Sequence, residues 1–100
     1  MTAKTQRRRQ MTARDLEKIL FEEGAEKAIA EAKNYISSQP EDLDFAYYIL
    51  GNAYRKTGDW QGAINNYLEA IAINPESPAK QAYDMANDIL DFFNKDMYNQ

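Results

Sequence analysis

Apolar residues return along this chain every three or four positions, in short blocks separated by glycine or proline, and that spacing predicts a succession of amphipathic helices. The first block is expected to start at Thr12, whose hydroxyl can accept an orphan amide, with Asp15 as the reciprocal acceptor and Met11 stapled onto Leu16. Gly24 stops it near Glu23. A second helix, Ala25 to about Ser37, carries Ala28, Ile29, Ala32, Tyr35 and Ile36 on one face, and Pro40 forbids its continuation. A third, about Asp44 to Lys56, aligns Tyr47, Leu50, Gly51 and Tyr54 and is closed by Gly58. Asp59 caps a fourth, Trp60 to about Ile73, with Trp60, Ala63, Ile64, Tyr67, Ala70 and Ile71 facing inward. Ser77-Pro78 opens a fifth that reaches about Lys95, and its stripe is Ala82, Met85, Ala86, Ile89, Phe92 and Phe93. No alternating run bounded by turn residues occurs, so the fold class is all-α.

The blocks repeat. Gln39-Pro40-Glu41 and Asn74-Pro75-Glu76 stand 35 residues apart, and at the same offset Ala28 meets Ala63, Ile29 meets Ile64 and Ile36 meets Ile71. Tyr48 and Asn52 recur as Tyr83 and Asn87. A period of this length is that of a helical-repeat array, in which each hairpin buries its apolar face only against its neighbours.

Tyr47 to Pro75 read Y-x2-L-G-x2-Y, then A-x3-Y, then P. This resembles the tetratricopeptide-repeat signature W-x2-L-G-x2-Y, A-x3-F, P, with large, small and proline positions all in register. On these residues the chain is identified as a member of that family, of the small bacterial type. Physically, Gly51 and Ala63 let two helices approach closely while Tyr47, Tyr54, Trp60 and Tyr67 fill the surrounding space. The first unit departs from the signature, with Ala32 where the full repeat has Tyr67 and Tyr35 where it has Ala70. The resemblance implies a short α-solenoid of about five helices occupying 11–100. It comprises a degenerate repeat at 10–43, a full repeat at 44–77 and a capping helix at 78–96 whose Ile89, Phe92 and Phe93 make the contacts. A disordered basic arm, 1–10, precedes it.

In this family the first helix of each repeat lines a concave groove that receives a peptide or helix. The matching positions here are Phe45, Tyr48, Asn52 and Arg55 on the third helix and Lys80, Tyr83 and Asn87 on the fifth. The asparagines would bond a peptide backbone, Arg55 and Lys80 its carboxylates, and the tyrosines its apolar side chains. The bland alternative is that the tyrosines only pack and the asparagines only face solvent. The lysine that a carboxylate clamp would need four residues before Asn52 is Tyr48.

Composition narrows the function classes. The chain has 100 residues and neither cysteine nor histidine, which removes thiolate nucleophiles, imidazole bases and the usual structural zinc ligands. Carboxylate pairs such as Glu22 and Glu23 have no accompanying nucleophile or oxyanion donors, so no enzyme is expected and no cofactor or metal is called for. Asp84, Asp88 and Asp91 on successive turns read as a solvated acidic stripe rather than a cation site. The net charge of -4 hides an asymmetry: residues 1–14 carry five positive charges and no acid, and the rest carry seven positive against sixteen negative. So acidic a body disfavours nucleic acid, and the Arg7 to Arg9 run reads as a solvated tail. No signal-peptide core follows the basic start and no apolar run is long enough for a membrane, which makes a cytoplasmic protein the expectation. Two functions remain: an adaptor holding a protein or peptide partner in the groove, or a self-associating scaffold joined through Phe93, Met97 and Tyr98.

Overall fold

A computed structural model describes residues 10–98, with side chains as far as Phe92; the arm through residue 9 and the side chains of Phe93, Met97 and Tyr98 lie outside it. Five helices follow in order, α1 Ala13–Glu23, α2 Ala25–Ser37, α3 Leu43–Lys56, α4 Trp60–Ile73 and α5 Ala79–Tyr98. No strand occurs among the described residues. Each boundary sits on the punctuation that the sequence supplies. Thr12 N–H donates to Asp15 Oδ2 at 2.8 Å at the start of α1. The expected capping box between Thr12 and Asp15 is present, and the Thr12 hydroxyl also donates to the same carboxylate at 3.3 Å. Asp59 accepts from the Gly62 amide at 2.9 Å, and buried Ser77 accepts from the Ala79 amide at 3.0 Å, so α4 and α5 are each capped by a side chain. Gly58, at φ 87°, takes the left-handed turn between α3 and α4 that a β-carbon would strain.

The helices pack in sequence: α1 against α2 and α3, α2 against α3, α3 against α4, and α4 against α5. α3 is therefore enclosed on two sides. One side, Ala46, Ile49 and Ala53 with Leu50, is buried among Leu16 and Leu20 of α1 and Ala28 and Ala32 of α2. The other carries Tyr47, Tyr48 and Tyr54 against a second core of Ala63, Ile64, Tyr67, Ala70, Ala79 and Ala86. The sequence pattern picked out Leu50 of the first side and Tyr47 and Tyr54 of the second, but not Ala46, Ile49 and Ala53, because alanines give little amphipathic contrast. Fully buried Leu16, Ile49 and Tyr67 each contribute on the order of 1.5–3 kcal/mol through area removed from water.

The fifth helix departs from its expected facing. Its buried arc is Ala79, Ala82, Tyr83, Ala86 and Leu90, whereas Met85 is 50% and Phe92 64% exposed. Phe92 is not the contact that holds the cap down. The reason lies in the counterparts of α3's first buried side: 35 residues after Ala46, Ile49 and Ala53 stand Gln81, Asp84 and Asp88, all exposed. Those polar groups cannot be desolvated without partners, so α5 turns its alanines toward α4 instead. Small residues then allow the backbones to approach.

Candidate functional site

The seven residues expected to line a groove lie on α3 and α5, six of them half-buried and one exposed. Phe45, Tyr48, Asn52 and Arg55 are all half-buried. On α5, Tyr83 and Asn87 are half-buried and Lys80 is exposed. Aromatic rings connect the α3 strip to the core beneath it. Phe45 and Tyr48 lie 5.6 Å apart between centroids, and Tyr48 and Tyr67 lie 6.2 Å apart, both pairs tilted.

Tyr67 reaches the strip from below. Its ring is fully buried while its hydroxyl donates to Asn52 Oδ1 at 2.5 Å. Burial pushes the phenol up to about 12; nearby Arg55 opposes that rise and Tyr48 adds to it. Asn52 is thus neither simply solvated nor wholly available: its oxygen is engaged inward, and its amide NH2 remains a donor. Tyr48 packs against both cores and Tyr83 against the second, so each has a packing role whatever else it contacts.

The sequence reading missed a contribution from α1. The Arg14 guanidinium lies 5.7 Å from the Phe45 ring centroid, a cation–π placement that extends the α3 strip onto the neighbouring helix. Arg14 also lies 3.7 Å from Glu17, an exposed pair of small energetic weight. Lys18 and Phe21 follow Arg14 at i+4 and i+7, both exposed, Phe21 by 86%. The available signal was this i, i+4, i+7 spacing, masked by the first unit's lack of the repeat signature.

Away from this face, Asp42 in the α2–α3 connection ties the first unit together. Its Oδ2 accepts the Ala13 amide at 2.8 Å, and its Oδ1 accepts a short hydrogen bond from Tyr35 Oη. The Tyr35 phenol is pushed up to about 12, first by burial and then by that hydrogen bond and the Asp42 charge. A cleft of about 850 Å³ opens beside this tie, lined by Met11, Thr12, Tyr35, Pro40 and Glu41 among others. At the other end of the chain's hairpins, Asn74 Nδ2 donates to Asp44 Oδ2 at 2.9 Å, locking the start of α3 to the end of α4. Among the described residues no three acidic groups are placed to hold a metal ion, and no helix is long and apolar enough to cross a membrane.

A family profile described as TPR repeat matches residues 51–79, from the middle of α3 to the first residue of α5. The chain is also similar to the Bacteroides fragilis protein BF1650, whose solution structure was determined by NMR. The two share 46% sequence identity, the similarity covers 91% of this chain and 92% of that one, and the TM-score is 0.77. No curated protein matches the chain.

Proposed function

This chain belongs to the tetratricopeptide-repeat family, and we propose that it is a protein-binding adaptor of the cytoplasm, not an enzyme, that holds an extended peptide along the strip running from α1 across α3 to α5. Repeats of this family generally mediate protein–protein interaction. The observation that carries the reading is the linked run of side chains from α1 over α3 to α4: Arg14 over Phe45, Phe45 against Tyr48, Tyr48 against Tyr67, and Tyr67 bonded to Asn52. Rings held on both sides lose little rotamer freedom when a ligand lands on them, which lowers the cost of binding. Asn52 offers its amide to a peptide carbonyl, Asn87 does the same one repeat on, and Arg14, Arg55 and Lys80 meet carboxylates. The partner class is an extended, acidic segment carrying apolar side chains.

The test must avoid residues that also hold the fold. Replacing Tyr48 or Asn52 would disturb both cores or strand the buried Tyr67 hydroxyl, so Arg55→Glu with Lys80→Glu is the informative variant. Full-length protein as bait should recover a partner that the double variant does not, at unchanged helix content by circular dichroism. Recovery of the same proteins by both would leave the groove without support. A self-associating scaffold is the second reading, and the outward faces of α1 and α5 favour it.

A further inference from the structure

Part of the solvent face of the first helix matches part of that of the last in charge and in apolar content, with exposed Glu17 and Glu22 standing beside the two cations of α1. On α1, Arg14 and Lys18 stand four residues apart with Phe21 on the same side, and Phe21 is 86% exposed. On α5, Asp84 and Asp88 stand four residues apart, flanked by Met85 at 50% and Phe92 at 64% exposure. The two helices sit at opposite ends of the array, α1 against α2 and α3, α5 against α4.

We propose that copies of this chain associate head to tail, with α1 of one copy lying along the acidic face of α5 of the next. Arg14 and Lys18 meet Asp84 and Asp88, and Phe21 is covered by Met85 and Phe92. The occupant is a second copy because the chain itself supplies cations at the spacing of the carboxylates, beside an aromatic ring with little of its surface covered. The proposal shares Arg14 with the peptide-binding reading but uses neither Arg55 nor Lys80, so the Asp84 and Asp88 variant, which leaves the strip intact, tells the two apart. Exposed ion pairs contribute little each, so they set direction and register while burial of Phe21 supplies the attraction. Glu17 beside Arg14 is an exposed neighbour that an incoming carboxylate displaces. The overall charge of -4 repels at long range, but that repulsion is screened beyond about 8 Å at physiological salt. A contact between single helices falls below the roughly 1,200–2,000 Å² of stable complexes, so association is weak and concentration-dependent. Because the two faces differ, each added copy leaves one face of each kind open, and growth continues beyond a dimer unless a ring closes.

Sedimentation velocity of the full chain from micromolar to millimolar concentration tests this. The wild type should sediment faster as concentration rises, while Arg14→Glu/Lys18→Glu and Asp84→Lys/Asp88→Lys should each stay monomeric. An equimolar mixture of the two variants should regain association, since the acidic α1 of one then meets the basic α5 of the other. Phe21→Ser should weaken wild-type association at least tenfold. All five positions are exposed, so helix content should match the wild type in every case. A wild type that remains monomeric throughout, reversed variants that associate as the wild type does, or a mixture that stays monomeric would each overturn the proposal.

Discussion

Gly51 and the ring of Tyr67 are in direct contact across the α3–α4 hairpin: a β-carbon at Gly51 would lie 2.5 Å from Tyr67 Cε1 and 2.6 Å from Cδ1, with the Ala63 carbonyl at 3.1 Å. The ring is fully buried and its hydroxyl is tethered to Asn52, so it has little freedom to withdraw. Gly51→Ala should gain up to about 1 kcal/mol in helix propensity and lose more through overpacking, about 1–3 kcal/mol or above. Net destabilisation is expected, read as a lower urea midpoint. A midpoint at or above wild type would mean that the hairpin can open by the needed fraction of an ångström without loss.

Asp42 acts as an N-terminal cap for α1 from 29 residues away. Its carboxylate meets the first helical amide, where the helix dipole favours negative charge, and also receives the Tyr35 hydroxyl. Asp42→Ala removes both partners at once and should cost about 2 kcal/mol. Native-state hydrogen exchange should show the loss locally, with the Ala13 amide exchanging faster while the α4 amides slow or speed only with global stability. Unchanged exchange at Ala13 would assign the capping to Thr12 and Asp15 alone.

The contrast between these residues explains what the chain disclosed in advance. Helix ends were legible because they depend on local chemistry: Asp59 before α4, Ser77 before α5, Gly24 and Gly58 after α1 and α3. The Gly51–Ala63 contact was legible because a repeat signature encodes it. The Asp42 tie was not, since nothing in the sequence places a loop carboxylate at a helix start far upstream. Nor was the side of α3 that faces α1 and α2, where Ala46 and Ala53 bury as completely as Ile49 but add little to a hydrophobic stripe. On the strip itself, the 35-residue recurrence located Tyr48, Asn52, Tyr83 and Asn87. Recurrence could not report that Asn52 is bonded to Tyr67, or that Arg14 joins from a unit lacking the signature.

The turn of α5 about its axis makes a comparative prediction. Phe92 looked like an anchor by periodicity, yet it is 64% exposed, whereas Ala86 is 1% exposed between α5 and α4. Phe92→Ala should therefore change stability by less than about 1 kcal/mol, and Ala86→Leu should cost about 1–3 kcal/mol by forcing the helices apart. Urea denaturation of the two variants decides it. A larger loss at Phe92 than at Ala86 would restore the facing expected from the sequence.

Alkaline pH should loosen the fold through two tyrosines. Tyr67 is buried without any exposed surface, and its phenol is pushed up to about 12 by that burial, Arg55 opposing and Tyr48 reinforcing. Tyr35 is raised to a similar value by burial and by Asp42. In the unfolded chain a phenol ionises near 10. Because the folded value is the higher one, the stabilising difference is fully present below pH about 10 and is lost as pH rises through about 12. For Tyr67 the slope is about 1.4 kcal/mol per pH unit across that window, since ionisation both charges a buried ring and removes the hydroxyl that donates to Asn52. Urea midpoints measured from neutral pH upward should stay level with respect to these groups until about pH 10 and then fall. Tyr67→Phe should start from a lower midpoint, having left Asn52 without its donor, but decline less steeply, and Tyr35→Phe should remove a further part of the slope. An alkaline decline of equal steepness in the double variant would place its origin in other groups and detach the Tyr67–Asn52 bond from the pH response.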